Sequence, residues 1–233
     1  PEGLPAVVTV SLALGVMRMS RRRALVRKLP AVETLGSTTV ICTDKTGTLT
    51  VGEMTVRELY VAGKHFDVTG EGYSPVGEVL HEGTAIDAKE TASLLVMATL
   101  LAGCNNSHLN LQENVWTAIG DPTEGAMLSA AGKVGVDFAE IERLLPKQYE
   151  IPFDSDRKRS CVIRRMPNGQ LRAMINGAPD VLLQRCTQLY TDSGFRPMME
   201  LDRHQIIDQN AAMAGRALRV LGSAYRDFGS QLP

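Results

Sequence analysis

Residues 42–50 read Cys-Thr-Asp-Lys-Thr-Gly-Thr-Leu-Thr, and they follow a short β-branched run at residues 37–41. Such a run is typical of a buried parallel strand, and open α/β sheets bind their ligands at the carboxyl ends of those strands. Asp44 would then be exposed beside Gly47 and several threonine hydroxyls, which suits an aspartyl nucleophile that accepts a phosphoryl group. The same residue types also build ordinary Asx turns, and that alternative carries no chemistry.

The seven residues Asp44–Thr50 are identical to the phosphorylation motif DKTGTLT of P-type cation-transporting ATPases, so the chain resembles that family. The resemblance implies an aspartyl-phosphate at Asp44. It also implies a catalytic Mg²⁺ held by Asp44 and the main-chain carbonyl of Thr46. Related haloacid-dehalogenase phosphatases carry a second Asp two positions after the nucleophile, where this chain has Thr46. Without that acid/base the acyl-phosphate should persist, as a pump requires.

The bulk composition is that of an ordinary globular protein: of 233 residues, 44% are hydrophobic and 22% charged, with a formal net charge of −1. No global attraction to nucleic acid follows from that charge, and no nucleic-acid partner is expected. The four cysteines show no metal-ligand spacing and fit a reducing setting, although two disulfides remain an alternative.

The first 30 residues differ in character from the rest. Residues 3–17 are uncharged and mostly apolar, and six basic residues follow by position 28. The segment is shorter than the roughly 20 residues that span a bilayer, so it predicts the cytosolic part of a transmembrane helix under the positive-inside rule. A buried amphipathic helix is the alternative. Two prolines around Glu2 favour the membrane, because prolines free backbone carbonyls and an intramembrane carboxylate is typically functional.

Pro1–Pro5 resembles the unwound part of the fourth transmembrane helix in calcium-type pumps, which implies that Glu2 ligates the transported cation. Residues 29–36 resemble the link from that helix to the phosphorylation strand. We therefore expect an integral membrane protein of a bacterial inner membrane, cytoplasmic from about residue 18 onward. Its expected partners are ATP, a calcium-like cation, membrane lipid around the N-terminal helix, and the rest of the same pump.

Beyond Thr50 the pattern predicts an α+β arrangement, in which a mainly antiparallel sheet carries helices. Strands are predicted at residues 58–62, 150–153, 161–165, 171–175 and 218–225, and helices at 89–102, from 121, at 179–186 and at 199–217.

Residues 153–160 resemble the F-x-S/R-x-R-K-x-S pattern of the family's nucleotide-binding domain. The resemblance implies that Phe153 stacks on adenine while Arg157 and Lys158 approach the phosphates, and these side chains suit a purine and a triphosphate. The alternative is a core Phe at a strand end, followed by a solvated charged hairpin.

Three further matches extend the expected pocket. Glu124 matches the family Glu near the adenine amino group, although it also suits the first turn of a helix capped by Asp121. Asn176 and Gly177 open a segment that resembles the K-G-A-P-E loop, where glycine lets the backbone approach the nucleotide. Arg219 matches the family Arg that reaches the phosphates.

Two departures from the family pattern concern the charge of this pocket. Asn176 replaces the usual Lys, and Ser155 stands where many calcium pumps have Arg. Both predict weaker or differently oriented ATP binding, offset by Arg157 or Arg219.

The predicted fold is an α+β nucleotide-binding domain, an antiparallel sheet with helices, inserted in an incomplete α/β haloacid-dehalogenase-like phosphorylation domain and preceded by part of a transmembrane helix. The predicted domains are the end of that helix at 1–20, the stalk and first phosphorylation segment at 21–50, the nucleotide-binding domain at 51–228, and the start of the return to the phosphorylation domain at 229–233.

The predicted function is ATP-driven cation transport through an aspartyl-phosphate at Asp44, with ATP and Mg²⁺ required. The chain is expected to be a fragment that is inactive alone, since nothing after Arg226 resembles the family's T-G-D and G-D-G-x-N-D segments. The alternatives are a soluble phosphatase of the dehalogenase type and a nucleotide-binding regulatory module without turnover. Replacing Asp44 with Asn would separate them.

Overall fold

A computed structural model describes residues 3–44, 48–50 and 52–231 of the chain. The chain divides into two compact units, Pro1–Val51 and Gly52–Pro233.

The first unit contains two helices, α1 at Leu4–Arg21 and α2 at Pro30–Gly36. No residue of α1 is buried, and its length and composition would allow it to cross a membrane. Pro5 lies in the first turn of α1, where a missing N–H breaks no helical bond, so the described helix is continuous from Leu4. Pro1 and Glu2 lie outside the described residues.

The predicted strand at residues 37–41 is wrong in this structure. Residues 37–44 form no strand, and Val40 and Ile41 are 72% and 84% exposed. A strand exists only where a neighbouring strand accepts and donates its backbone hydrogen bonds. The described residues of the first unit include no such neighbour, so the β-branched side chains have no sheet to pack into. The phosphorylation domain of the predicted fold therefore stays a prediction.

The second unit is α+β, and all its paired strands are antiparallel. Its strands are β1 Glu58–Val61, β2 Lys64–Val68, β3 Val79–His81, β4 Thr84–Ile86, β5 His108–Gln112, β6 Val115–Ile119, β7 Lys147–Asp154, β8 Arg159–Arg165, β9 Leu171–Gly177, β10 Gln188–Thr191, β11 Gly194–Pro197 and β12 Gly222–Phe228. Its helices are α3 Ala92–Gly103, α4 Pro122–Val134, α5 Phe138–Leu144, α6 Pro179–Leu183 and α7 Glu200–Gly215, with a 3₁₀ turn at Ala88–Glu90.

Among the described residues, two four-stranded sheets and two hairpins make up the β structure of this unit. One sheet has the order β1-β2-β3-β4 and the other the order β12-β9-β8-β7, while β5-β6 and β10-β11 are separate hairpins. The predicted strands in the region of residues 147–177 are confirmed as β7, β8 and β9. The α+β prediction with antiparallel sheets is likewise confirmed for this unit.

Helix α3 is the centre of the main core. It is apolar along most of its length, as expected for a helix buried by several neighbours, and it contacts α4, α5, β9 and β12. Leu94 on α3 and Met174 on β9 are both fully buried. Burying one such side chain contributes about 1.5–3 kcal/mol, so the contacts of α3 contribute substantially to the stability of this unit.

Helix α4 begins as its sequence predicts. The Asp121 carboxylate accepts hydrogen bonds from the main-chain N–H groups of Thr123 (2.8 Å) and Glu124 (3.2 Å), and Pro122 occupies the first helical position. Gly135 ends the helix with φ 99°, in the left-handed region that glycine adopts most readily.

The last strand begins four residues later than predicted, at Gly222. Helix α7 ends near Arg216, Ala217 adopts φ 60°, and the Leu218 N–H donates back to the carbonyl of Met213. Residues 218–221, which hydropathy alone assigns to the strand, therefore lie between α7 and β12.

Arg164 on β8 is the largest fully buried side chain among the described residues. Its guanidinium donates to the carbonyl of Gly103 at the end of α3 (2.6 Å) and to the carbonyl of Leu145 at the end of α5 (2.8 Å). It also donates to the Glu142 carboxylate at 2.5 Å. One cation therefore joins two helix ends to the sheet, and helix carboxyl ends favour positive charge.

The start of α7 depends on an ion pair. Asp202 accepts two hydrogen bonds from Arg196 on β11, at 2.6 and 2.7 Å, and a third from the Met199 N–H at 2.8 Å. The bonds from Arg196, and then the one from Met199, lower the pKa of Asp202 from 3.8 to about 2.

This lowered pKa predicts a dependence of stability on acid. A carboxylate whose pKa falls on folding stabilises the fold above its unfolded pKa, and that stabilisation is lost as pH falls through the folded pKa. We expect the advantage of the parent chain over Asp202→Asn, measured as the urea midpoint, to be present at pH 7 and to shrink from about pH 4 to about pH 2. Equal midpoints at pH 7 would contradict it.

Candidate nucleotide site

The β7–β8 hairpin presents Phe153 to solvent. Phe153 lies at the end of β7 and is 63% exposed, so it is not the core residue that the alternative interpretation required. After it, the Asp154 carboxylate accepts hydrogen bonds from the N–H groups of Arg157 (2.8 Å) and Asp156 (3.0 Å). The bond from Arg157 is the main reason that the pKa of Asp154 is lowered. This turn fixes the backbone of Arg157 and Lys158, which follow Phe153 in the same hairpin.

Glu124 is held by the loop that follows α3. Its Oε2 accepts hydrogen bonds from the Asn106 N–H (3.0 Å) and the Ser107 hydroxyl (3.3 Å), and its carbonyl accepts one from the Asn105 side chain (2.9 Å). The carboxylate is thus fixed in position by the α3 end as well as by its place in the first turn of α4. Both roles that the sequence allows, helix start and site residue, are compatible with this geometry.

Asn176 is 4% exposed, and both ends of its amide are used inside the protein. Its Nδ2 donates to the carbonyl of Cys104 (3.1 Å), and its Oδ1 accepts from the Ser223 hydroxyl (2.6 Å). The side chain therefore ties β9 to the end of α3 and to β12. Its role as a nucleotide ligand stays a prediction.

Gly177 is required by close packing between strands. A Cβ built at Gly177 would lie 2.5 Å from the carbonyl of Lys158 and 2.6 Å from Cβ of Arg159. No side chain fits there without moving β8. The glycine of the loop therefore has a structural function in addition to the predicted approach of the backbone to a nucleotide.

A cavity of about 1070 Å³ lies in the second unit, between α3, α6, α7, β1 and β12. Among the predicted nucleotide-binding residues, all of which are described, only Arg219 lines it. The structure thus groups Phe153, Arg157 and Lys158 in one hairpin. The segment that follows α3 bonds to two of the other predicted residues. Asn105, Asn106 and Ser107 donate to Glu124, and the carbonyl of Cys104 accepts a hydrogen bond from Asn176.

Asp44 is exposed, and its carbonyl accepts a hydrogen bond from the Thr43 hydroxyl (3.1 Å). Thr46 lies outside the described residues, as does Glu2. A carboxylate and a main-chain carbonyl are oxygen donors of the kind that Mg²⁺ prefers, and Mg²⁺ commonly uses one or two carboxylates together with substrate phosphates. The oxygen donors of Asp44 and Thr46 are therefore of the chemical type that binds Mg²⁺.

Sequence reasoning missed the polar network after α3. The Asn106 side chain donates to Glu150 (2.6 Å) and accepts from Lys147 (2.8 Å), so it joins this loop to the start of β7. The run Cys-Asn-Asn-Ser at residues 104–107 was the available signal, because small polar residues directly after an apolar helix often organise a turn.

Comparison with known proteins adds a family and close relatives. The family model described as "P-type ATPase, cytoplasmic domain N" matches residues 93–233, more than half of the chain. A Synechocystis sp. protein named "Cation-transporting ATPase pma1" is 45% identical over 96% of this chain and 25% of its own length. The "Calcium-transporting ATPase" of Bacillus subtilis is 41% identical over 97% of this chain and 25% of its own length.

A mammalian relative shows a similar likeness. The "Calcium-transporting ATPase type 2C member 1" of Bos taurus is 40% identical over 96% of this chain and 23% of its own length. The chain therefore spans about a quarter of the length of the curated relatives that it matches.

Proposed function

This chain belongs to the P-type cation-transporting ATPases, and from that premise we propose that it serves an ATP-driven cation pump in which Asp44 is the phosphorylated residue. One observation carries the proposal: Asp44–Thr50 is the family's phosphorylation motif, in a chain that matches such pumps over nearly its whole length. The remaining residues act around that step by holding the nucleotide or by linking to the membrane.

The proposed reaction is an in-line displacement. A carboxylate oxygen of Asp44 attacks the γ-phosphorus of ATP, an O–P bond forms, and the bond from that phosphorus to the β-phosphate oxygen breaks as ADP leaves. Bound Mg²⁺, held by Asp44 and the carbonyl of Thr46, would neutralise phosphate charge. Exposure of Asp44 in the described structure is compatible with access by the triphosphate.

The nucleotide is proposed to bind on the second unit. Phe153 offers an exposed ring for stacking on adenine, and Arg157 and Lys158 follow it in a turn that fixes their backbone. Glu124 is held in place at the start of α4, and Arg219, before β12, lines the cavity. An aromatic face together with nearby cations is the chemistry that a nucleoside triphosphate requires.

The transported ion is proposed to be calcium or a similar cation. Two of the relatives named above are called calcium-transporting, and Glu2 would be one ligand. Helix α1 would enter a bacterial inner membrane in contact with lipid, with residues from about 18 onward cytoplasmic. The basic residues at the end of α1 agree with that orientation. Its largely exposed apolar surface, on which no residue is buried, is compatible with lipid or with other helices of the same pump.

Removing the ring of Phe153 tests the nucleotide site. We expect Phe153→Ala to weaken ATP binding to the chain roughly tenfold, because stacking of a base on an aromatic side chain contributes about 1–3 kcal/mol. Calorimetric titration would measure the affinity. Tyr149→Ala is the matched control, since Tyr149 is a second exposed aromatic residue on the same strand. Equal affinities of all three proteins would exclude Phe153 as the stacking residue.

A further inference from the structure

Arg159 lies in a row that crosses all four strands of one sheet, with Asp154 of β7 on one side of it and Gly177 of β9 on the other. Arg159 on β8 pairs with Gly177 on β9, and Gly177 pairs in turn with Gly222 on β12. Because Gly177 and Gly222 are glycines, no side chain stands in this row between Arg159 and the β12 edge of the sheet. Arg159 and Gly222 both line the 1070 Å³ cavity, together with Pro179 and Arg219.

The cavity has a surplus of positive charge. Six arginines and three carboxylates line it, and each of the three carboxylates is already paired with an arginine. The pairs are Glu58–Arg216, Asp202–Arg196 and Asp227–Arg172. Among the ion pairs of the described residues, none includes Arg159 or Arg219. Of the six lining arginines only Arg196 belongs to one of these pairs, so Arg159 and Arg219 are two of the five that line the cavity without an ion pair among the described residues.

Arg159 is positioned for binding by its own hydrogen bond. One terminal nitrogen of its guanidinium donates to the carbonyl of Arg157 at 3.0 Å, which leaves further N–H groups for another acceptor. The side chain is half-buried, so its conformation is restricted. A planar, restrained guanidinium is well suited to phosphate oxygens, which it can bind with two parallel hydrogen bonds.

Position 176 offers no such group. Its amide is buried and satisfied at both ends by Cys104 and Ser223. We propose that Arg159, together with Arg219, binds the phosphate groups of the nucleotide, so that the charge absent at Asn176 is supplied from the neighbouring strand. This inference rests on the proposed function and deepens it. It assigns phosphate recognition in this chain to a residue outside the family pattern.

The test is calorimetric titration of the 233-residue chain with ATP and, separately, with adenosine. Arg159→Gln should weaken ATP binding about tenfold or more, since a hydrogen bond to a charged group contributes about 1.5–3 kcal/mol. Adenosine affinity should not change, because adenosine has no phosphate. Arg159→Lys keeps the charge and should recover part of the ATP affinity. The matched control is Arg165→Gln, on the same strand, whose guanidinium bonds instead to Gly169 and Gln148.

The outcomes distinguish this inference from the proposed function. If the parent chain binds ATP and Arg159→Gln binds it equally well, Arg159 has no phosphate contact and the inference fails alone. An equal loss of ATP and adenosine affinity would show that Arg159 only supports the fold of the site, which also overturns it. Failure of the parent chain to bind either ligand would reject the nucleotide site and this inference together.

Discussion

Formation of the phosphoenzyme is expected to be lost when Asp44 is replaced by Asn in the complete pump. The carboxamide has the shape of the carboxylate but neither its charge nor its nucleophilic oxygen, so no acyl-phosphate can form. Removal of a catalytic nucleophile commonly costs several orders of magnitude in rate, and we expect a decrease of about 10³-fold or more. The measurement is transfer of labelled γ-phosphate from ATP to protein in isolated membranes, followed by acid precipitation.

ATP binding should survive the same substitution, because the proposed nucleotide contacts lie on the second unit and do not include Asp44. Asp67→Asn is the matched control, since Asp67 is an exposed aspartate on β2 and should leave labelling unchanged. Labelled protein in the Asp44→Asn variant would contradict the proposed mechanism.

The same variant also decides between the alternative functions. A soluble phosphatase would lose hydrolysis without having accumulated a labelled intermediate in the parent protein. A regulatory module would show no change in either quantity. Only a pump combines a long-lived phosphoenzyme in the parent with its loss in the variant.

Elements with strong local signals were predictable from the sequence. Helix α4 carries its own start and stop signals in Asp121, Pro122 and Gly135, and these act within one turn of the backbone. The β8–β9 hairpin is likewise marked by Pro167-Asn168-Gly169 between two apolar runs. In such cases the chemistry that fixes the element lies inside the element.

Elements that depend on distant partners were not predictable in the same way. Residues 37–41 have the composition of a strand, yet composition cannot supply the neighbouring strand that makes one. The start of β12 depends on how α7 ends, and in particular on the left-handed conformation of Ala217. Both cases are decided by backbone pairing rather than by hydropathy.

The candidate site likewise contains features that local sequence predicts and features that depend on distant strands. The exposed ring of Phe153 and the capped start of α4 beside Glu124 agree with the sequence pattern. The burial of Asn176 and the row from Arg159 to Gly222 follow from strand register, which no single motif contains. Motifs thus identify which residues have the right chemistry, while register determines which side chains are available to a ligand.

Replacing Arg164 is expected to have the largest effect on stability. Arg164→Met keeps an unbranched apolar stem but leaves the carbonyls of Gly103 and Leu145 without their donor in a buried site. Each unsatisfied buried acceptor costs about 1–3 kcal/mol, and loss of a buried charged partner typically costs about 3–5 kcal/mol in all. We expect the free energy of unfolding to fall by about 3–5 kcal/mol.

Urea unfolding followed by the fluorescence of Trp116 would measure this loss. Trp116 is the single tryptophan of the chain and lies on β6, in the same unit as Arg164. Its signal therefore reports the unit that the substitution affects, and is independent of the helices near the N-terminus.

Two companion variants distinguish the contribution of the hydrogen bonds to the two helix-end carbonyls from the contribution of the Arg164–Glu142 ion pair. The Glu142 side chain is 43% exposed. Glu142→Gln should therefore lower the free energy of unfolding by about 1 kcal/mol or less, because water can compensate for the weakened ion pair. Arg143→Met removes an arginine that pairs with Glu140 on the surface, and it should have a similarly small effect. A large loss in Arg164→Met alone would mean that Arg164 stabilises the fold through the two carbonyls. Equal losses in Arg164→Met and Glu142→Gln would instead mean that the ion pair carries the energy, and the assignment to the helix ends would be wrong.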